Sequence, residues 1–338
     1  MRKPPDEGTA MTHRRRLLHT AALVPAALAR PARAQARYPD RPIRIVVPFP
    51  AGGGTDTMAR MLIDAGFQAT LGVPVVVDNR GGGSTMIGSE HVAKSPPDGH
   101  TLLFTITTLV QAPIALRQFP YRPVEDFTWI GRLGTGAITF TIGPAVPPSV
   151  TTLAEFVTWG QGRQLAFGNY SSGSTPHAFA VMLAQETKLN VTQVSYRGEA
   201  PMLQDLLGGQ FHGGFHSTIV AGEMMRAGRV RPLATGGLDR VPSLADRVPT
   251  LRELGYSHRF DFAGFIGLLG PARLPPEVMT RLVPAFRDML AQPELRRKLS
   301  TQDIIVGYQD PEAFREVGQR TFDQWKEIAE SLGLYVTA

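Results

Sequence analysis

One stretch decides the fold of this chain: Ile43-Arg44-Ile45-Val46-Val47-Pro48-Phe49-Pro50-Ala51-Gly52-Gly53-Gly54-Thr55-Asp56. Its β-branched first part predicts a buried strand, and the Pro/Gly cluster ends that strand. A helix is expected from about Thr57, with Thr55 or Asp56 as its N-cap. Glycines let a backbone approach a ligand closely, and the free amides at a helix start favour an anion. The stretch therefore predicts a strand–loop–helix that holds a carboxylate, a phosphate or a similar group.

The kind of anion stays open from this loop alone. The glycines are not followed by a Lys-Ser or Lys-Thr pair, so the loop does not match the nucleoside-triphosphate pattern. Its glycines also lack the G-x-G-x-x-G order of dinucleotide-binding folds. The alternative interpretation is a purely structural glycine turn between a strand and a helix.

Residues 1–36 have the pattern of an export signal. Arg14-Arg15-Arg16 precedes an apolar run from Leu17 to Leu28, and Ala34-Gln35-Ala36 offers a small-x-small cleavage site. We expect cleavage after Ala36, with cleavage at Ala34 as the alternative, and the arginines also fit a twin-arginine signal. The apolar run is too short for a stable membrane span. The sequence therefore predicts a periplasmic protein with a cleaved signal peptide, not embedded in the membrane.

Charge argues against a nucleic-acid partner once this leader is set aside. The chain carries a net charge of +6, and the seven Lys/Arg and two Asp/Glu of residues 1–36 supply +5 of it. The mature chain is left at about +1, which gives no basic surface for a polyanion. The chain has no cysteine, so neither disulfides nor a cysteine-linked lipid anchor is expected.

Strands and helices alternate along the rest of the chain, which predicts α/β lobes with mostly parallel sheets. Two apolar segments punctuated by glycine, 133–142 and 262–269, are interpreted as extended crossings between lobes. The roughly 300 residues after the leader favour two lobes over one core. We place lobe one at 37–138 plus 264–338 and lobe two at 139–263.

Further polar groups are predicted at strand ends. A Ser/Gly loop, 169–177, lies between a predicted strand and a helix that starts at Pro176. Thr105, Thr107 and Thr108 stand at the end of another predicted strand, where alternation lets only some hydroxyls face a ligand. The last helix, Pro311–Leu332, has an apolar face and is predicted to pack on lobe one.

Short motifs follow one another in a fixed order over nearly all of residues 37–338. They are Tyr38-Pro39-x-Arg41-Pro42-Ile43, Val46-Val47-Pro48-Phe49-Pro50-Ala51-Gly52-Gly53-Gly54-Thr55-Asp56, Asn79-Arg80, Pro97-Asp98-Gly99-His100-Thr101-Leu102, Gly173-Ser174-Thr175-Pro176-His177, Tyr196-Arg197-Gly198, Asp205-Leu206-Leu207-Gly208-Gly209-Gln210, Val248-Pro249-Thr250-Leu251 and Gly255-Tyr256. In this order and spacing the chain resembles the extracytoplasmic solute-binding receptors of tripartite tricarboxylate transporters, also called Bug-type receptors.

The resemblance implies a type II periplasmic-binding-protein fold, with two α/β lobes and a ligand cleft between them. It implies a receptor, not an enzyme, that captures a small organic acid and delivers it to the membrane permease subunits of the transporter. No cofactor and no metal are implied. One loop from each lobe would grip the carboxylate through amides, hydroxyls and waters. The expected ligand-binding residues are Pro50, Ala51, Gly52, Gly53, Gly54, Thr55, Asp56, Thr105, Thr108, Ser171, Ser172, Gly173, Ser174, Thr175, His177 and Arg197.

The chain departs from the pattern usual in these receptors at several positions. Ser171 and Glu199 stand where glycine is common, and His212 and His216 stand where aspartate is common. Arg197 is interpreted either as the partner of a second carboxylate on a diacid or as a surface arginine paired with Glu199. These departures leave the identity of the ligand open.

Three other functions are weighed against transport. A ligand-sensing receptor for a signalling partner would use the same two-lobed fold. Ser171, Ser172, Ser174 and His177 suggest a hydrolase, but their spacing is not that of a G-x-S-x-G nucleophile turn. His212 and His216 have the spacing of a metal pair on a helix, but the two glycines between them disfavour a helix, so no metal site is expected.

Overall fold

The computed structural model describes residues 38–335. The strands are β1 Ile43–Val47, β2 Val75–Asn79, β3 Thr101–Ile106, β4 Phe127–Gly136, β5 Ile138–Ile142, β6 Gln164–Asn169, β7 Asn190–Ser195, β8 Gly213–Ser217, β9 Arg231–Gly236, β10 Ile266–Pro271 and β11 Ile304–Gln309. The helices are α1 Gly54–Leu62, α2 Gln68–Leu71, α3 Met86–Ala93, α4 Thr108–Leu116, α5 Leu153–Gly160, α6 Thr175–Thr187, α7 Glu199–Leu207, α8 Thr218–Arg226, α9 Pro276–Leu290, α10 Pro293–Ser300 and α11 Pro311–Leu332. Within these residues no helix is both long enough and apolar enough to cross a bilayer.

The first sheet is built around the predicted opening strand. Its strand order is β11-β4-β10-β3-β1-β2. β1 is parallel to β2 and β3, but β10 is antiparallel to β3 and β4, and β11 is antiparallel to β4. The prediction of a mostly parallel sheet is therefore wrong for this lobe, because β10 enters from the second sheet and runs against its neighbours. In β1 only Arg44 is exposed, as expected for a strand covered on both faces.

The second sheet has the order β7-β6-β8-β5-β9 and is also mixed. β6 is parallel to β7 and β8, whereas β5 is antiparallel to β8 and β9. Phe140 lies fully buried at its centre, with its ring centroid 5.1–5.3 Å from those of Phe156, Phe167 and Phe215. Each sheet thus has its own apolar core, which gives the molecule two lobes.

Two connections join the lobes where the sequence predicted crossings. A single residue, Ala137, separates β4 in the first sheet from β5 in the second. The return segment 262–265 leads to β10 and is fixed to lobe one, since the Phe265 amide donates to Oγ1 of Thr107 at 2.7 Å. The lobe limits of 37–138 plus 264–338 and of 139–263 stay a prediction that follows these connections.

The last helix packs on both lobes, so the prediction that it packs on lobe one is incomplete. Near its start, the Phe314 ring lies 4.6 Å from the Trp129 ring of lobe one. Further along, buried Trp325 lies 5.3 Å from Phe262 and joins the core of the second sheet. Its 22 residues span about 33 Å, enough to reach from one core to the other.

Several elements were not predicted, including the first part of β4, 127–132, and one helix starts earlier than predicted. α1 begins at Gly54, with Gly53 as an N-cap that offers no side-chain hydrogen bond, so neither Thr55 nor Asp56 caps it. α4 was missed because Pro113 stands inside it, and proline disfavours a helix interior. α8 and β11 were missed as well.

Candidate functional site

A cavity of about 210 Å³ is lined by residues from both lobes and from both connections. Most of its wall is apolar, and the volume suits a small metabolite better than a drug-sized molecule. The apolar side chains include Phe49, Met58, Ile106, Ile138, Ile219, Phe262, Phe265, Ile266 and Ile305. The polar ones are Thr55, Thr107, Thr108, Gln111, Thr135, Tyr170, Thr175, Glu199, Ser217 and Asp239.

The start of α1 opens directly into this cavity. Of the opening loop, Pro50, Ala51, Gly53, Gly54 and Thr55 line the wall. The first N–H groups of a helix have no intrahelical acceptor and carry its positive partial charge. The strand–loop–helix predicted from the sequence therefore presents free amides to whatever fills the cavity.

Asp56 supports the loop from behind instead of facing the cavity. Its carboxylate accepts the Gly52 amide at 2.9 Å, Nδ2 of Asn79 at 3.0 Å and Nε of Arg60 at 3.0 Å. Burial alone would raise the pKa of Asp56, but the hydrogen bonds from Arg60, Gly52 and Asn79 outweigh it and hold the pKa below its usual value. Gly52 has a φ of +80° and, like Asp56, is not part of the cavity wall.

The second loop meets the cavity at Tyr170 and Thr175. Ser174 Oγ donates to the Ser171 carbonyl at 2.6 Å, and Ser172 Oγ lies 3.2 Å from Ser195 Oγ. A Cβ on Gly173 would lie 2.2 Å from Cβ of Ala115, so this glycine is needed for close packing on α4. The structure thus places Ser171, Ser172, Gly173 and Ser174 in the frame of the loop and not in the cavity wall.

His177 is held inside the same loop. Its Nδ1 accepts the Gly173 amide at 3.0 Å, and burial lowers the pKa of His177 to about 4, so the ring is neutral. Because Nδ1 accepts this amide, the neutral ring carries its proton on Nε2, and neither nitrogen is free to act as a base for a serine. The hydrolase arrangement suggested by Ser171, Ser172, Ser174 and His177 is therefore not formed.

Of the three threonines predicted at the end of β3, two line the cavity, Thr107 and Thr108. Thr108 does so at the start of α4, whereas Thr105 is fully buried, with Oγ1 3.5 Å from the Ile106 carbonyl. Gln111, one turn further along α4, lines the cavity and donates from Nε2 to Oγ1 of Thr175 at 2.8 Å. This bond joins the two lobes, and it escaped prediction because α4 itself was not foreseen.

Arg197 and Glu199 occupy opposite environments. Arg197 is exposed and outside the cavity wall, whereas Glu199 is 8% exposed and lines the wall. Burial raises the pKa of Glu199 to about 7, although hydrogen bonds from Ser217 lower it in part. From the sequence, Glu199 was only a departure from a common glycine and a possible partner of Arg197, and its burial was the missing information.

The two histidines of the pair at 212 and 216 each contact backbone. Nδ1 of His212 accepts the Ala166 amide at 3.0 Å, and Nδ1 of His216 lies 3.2 Å from the Gly214 carbonyl. Burial lowers the pKa of His216 to about 4. Among residues 38–335, no three or more His, Asp or Glu side chains are grouped in a way that could hold a metal ion.

Known proteins share both this sequence pattern and this architecture. A protein encoded between tcbD and tcbE in Pseudomonas sp. strain P51, called UPF0065, is 31% identical over 317 residues, which are 93% of each chain. The structure of the periplasmic binding protein BugD matches with a TM-score of 0.83 and 30% identity, over 88% of this chain and 99% of that one. The structure of R. palustris Rpa4515 with adipate matches with a TM-score of 0.82 and 28% identity, over 88% and 98%.

The profile of the tripartite tricarboxylate transporter family receptor matches residues 58–334, which is most of the chain. Its structural relatives are periplasmic binding proteins of the same two-lobed fold. The predicted fold class and the predicted family are both confirmed. The chain therefore belongs to the family of tripartite tricarboxylate transporter receptors, the Bug-type solute-binding proteins.

Proposed function

We propose that this protein captures a small carboxylate in the cavity between its lobes and delivers it, unchanged, to a tripartite tricarboxylate-type membrane transporter. The observation that supports this most is the start of α1, whose free amides open into a mostly apolar cavity. The related protein Rpa4515, described with adipate, supports a carboxylate as the class of ligand.

The ligand contacts that we propose come from both lobes. Gly53, Gly54 and Thr55 would hold the carboxylate from lobe one, and Thr108 with Thr175 would add hydroxyls at the junction with lobe two. Of the other predicted residues, Asp56 and the inward-facing serines are proposed to shape the two loops. Their effect on affinity would come through loop geometry and not through direct contact.

A thermal-shift panel tests the carboxylate. Ligand-free mature protein, verified by native mass spectrometry, is heated with mono-, di- and tricarboxylates and with amino acids. A ligand present at about one hundred times its Kd should stabilise the fold by roughly 2.7 kcal/mol. A flat response across the whole panel would reject the proposal. Chemical conversion of a bound ligand on long incubation would reject the part of the proposal that says the ligand is delivered unchanged.

Closure of the two lobes is the expected response to the ligand. Loops from both lobes contribute to the wall, so a ligand that touches both favours the closed form over the open one. Small-angle scattering should show a smaller radius of gyration when a ligand found in the panel is added. Identical scattering of free and saturated protein would argue against this clamp.

Delivery requires export and a membrane partner. The predicted signal peptide, 1–36, lies outside the described residues, so the periplasmic location rests on its sequence pattern and on the family. Deleting the gene should abolish uptake of the ligand into cells. Normal uptake with loss of a transcriptional response would favour a signalling receptor instead.

A further inference from the structure

Glu199 is a fixed carboxylate in the wall of the cavity. It is the first residue of α7 and is 8% exposed. Its Oε1 accepts the Ser217 amide at 2.5 Å and its Oε2 accepts the Ser217 hydroxyl at 2.9 Å. Ser217 is itself the N-cap of α8, with Oγ 3.4 Å from the Val220 amide. Two helix starts therefore hold this side chain in one orientation.

The carboxylate of Glu199 lies across from the amides that would receive the ligand. A Cβ on Gly54, the first residue of α1, would lie only 3.7 Å from Oε2 of Glu199. An anion bound at the start of α1 would therefore have the Glu199 carboxylate as a close neighbour. Two carboxylates at such a distance repel each other unless a proton or a cation lies between them.

The rest of the wall offers nothing to balance a second negative charge. Within the described chain, the residues lining the cavity include no Lys, Arg or His. The acidic ones are Glu199 and Asp239, of which Asp239 is exposed. A diacid would bring two negative charges into a wall that already carries buried Glu199, and desolvating unpaired charge is costly.

We propose that Glu199 selects a ligand that carries an ammonium group beside its carboxylate and an apolar remainder, which is the chemistry of an apolar α-amino acid. The ligand carboxylate would face the amides of α1, and the ammonium group would pair with Glu199. The apolar side chain would lie against Phe49, Met58 and Ile106. This inference rests on the proposed function and names the class of its ligand.

The rival arrangement is a protonated Glu199 that donates a hydrogen bond to the carboxylate of a simple acid. Because burial raises the pKa of Glu199 to about 7, both protonation states are accessible at neutral pH. The two arrangements differ in the sign of their pH dependence. An ammonium ligand binds the ionised form of Glu199, whereas a simple acid binds the protonated form.

Four probes that share a carbon chain separate these possibilities: L-2-aminopentanoate, pentanoate, glutarate and pentylamine. Isothermal titration on full-length mature protein should give 2-aminopentanoate about tenfold or more tighter binding than pentanoate or glutarate, because only 2-aminopentanoate adds a charge-assisted hydrogen bond to Glu199. Equal or tighter binding of pentanoate or glutarate would overturn the inference while leaving the proposed function intact.

Variants assign the effect to Glu199. Glu199→Gln keeps the shape and removes the charge, so it should weaken 2-aminopentanoate binding about tenfold. It should not weaken pentanoate binding, because it removes a repulsive neighbour of the bound carboxylate. Glu223→Gln makes the same change on the exposed side of α8, outside the cavity wall, and should leave both affinities as in the wild type. Equal effects of Glu199→Gln on both probes would overturn the inference.

Binding at pH 6 and pH 8 gives a second readout that needs no variant. 2-Aminopentanoate keeps its charges over this range, and its affinity should rise with pH as Glu199 ionises. The other charged or titratable groups around it are Arg197 beside it, Tyr170, His216 next to Ser217, and, on α1, Asp56 with Arg60.

Tyr170, His216 and Asp56 are not expected to titrate in that interval. Burial and the Glu199 charge raise the pKa of Tyr170, burial lowers the pKa of His216 to about 4, and the pKa of Asp56 is held low. An affinity for 2-aminopentanoate that falls from pH 6 to pH 8 would therefore overturn the inference.

The proposed carboxylate receptor and the proposed ammonium site at Glu199 can be rejected separately. Binding of pentanoate and glutarate with no preference for an ammonium group rejects the inference alone. Binding of pentylamine that depends on Glu199, with no carboxylate bound, keeps the ammonium site and rejects the proposed carboxylate receptor. No binding by any of the four probes and by the whole carboxylate panel rejects both.

Discussion

Nε2 of Gln111 in lobe one donates a hydrogen bond to Oγ1 of Thr175 in lobe two over 2.8 Å. Gln111 is 1% exposed, so its amide has little access to water. Both residues line the cavity. One side-chain contact therefore links the two lobes at the place where a ligand would bind.

Replacing Thr175 by valine should cost stability before any ligand is added. Thr175→Val keeps the shape and leaves the Gln111 amide without its acceptor, a loss of about 1–3 kcal/mol in the free energy of unfolding. Urea unfolding of ligand-free protein measures it. Thr175→Ser is the matched control and should stay close to the wild type, and equal stability of all three proteins would show that the bond contributes nothing.

Gly52 and Gly53 should respond differently to the same methyl group. Gly52 has a φ of +80°, so Gly52→Ala should lower the free energy of unfolding by roughly 1–2 kcal/mol. At Gly53 a Cβ would meet only the Pro50 carbonyl, at 3.5 Å, so Gly53→Ala should fold normally. Because Gly53 lines the cavity, its methyl group should weaken ligand binding by about 1–3 kcal/mol.

Melting temperature without ligand and affinity with it separate these two effects. If Gly53→Ala binds as tightly as the wild type, the opening loop does not approach the ligand as closely as we propose.

Acid should destabilise the protein partly through His177. Its pKa is about 4 in the folded chain and about 6.5 in the unfolded chain, so the unfolded state binds more protons between these values. Stability is therefore full above pH 6.5 and falls as the pH drops towards 4, by an amount on the order of 3 kcal/mol. His177→Asn, whose Oδ1 can accept the same Gly173 amide without titrating, should flatten this part of the curve. Chemical unfolding from pH 7 to pH 4 measures both proteins, and parallel curves would contradict the assignment.

The exported protein should begin at Arg37. Residues 1–36 combine a basic region, a short apolar run and the Ala34-Gln35-Ala36 site. Amino-terminal sequencing of the periplasmic form tests this directly. Recovery of an intact leader in the membrane fraction would contradict it and would indicate an anchor.

Local patterns predicted the opening unit because every signal there agrees. The β-branched run, the Pro/Gly cluster and the following helix all belong to one short stretch, and the structure forms them with the helix starting at Gly54. The order of motifs along the chain predicted the family for a similar reason, because each motif is a short contiguous stretch that can be recognised without knowing the fold.

What escaped prediction depends on burial and on contacts distant in sequence. The Ser/Gly loop has the composition of a binding loop, but none of its serines lines the cavity, which the loop meets at Tyr170 and Thr175. Glu199 looks like an ordinary charged residue until the fold places it 8% exposed against Ser217. The role of Gln111 was not predicted because Pro113, inside α4, argued against a helix at this position.

The last helix, α11, contacts both lobes at positions that do not line the cavity. A Cβ on Gly318 would lie 2.1 Å from the Trp129 ring, so α11 packs against lobe one at this position with no room for a side chain. Trp325, two turns later, is seated in the core of lobe two. Because α11 packs on both lobes, a rotation of one lobe relative to the other has to shift the helix against at least one of them. We therefore expect the position of the exposed side of α11 to differ between the ligand-free and the ligand-bound protein. Such a difference, on a surface that does not touch the ligand, would let a membrane partner distinguish the two forms.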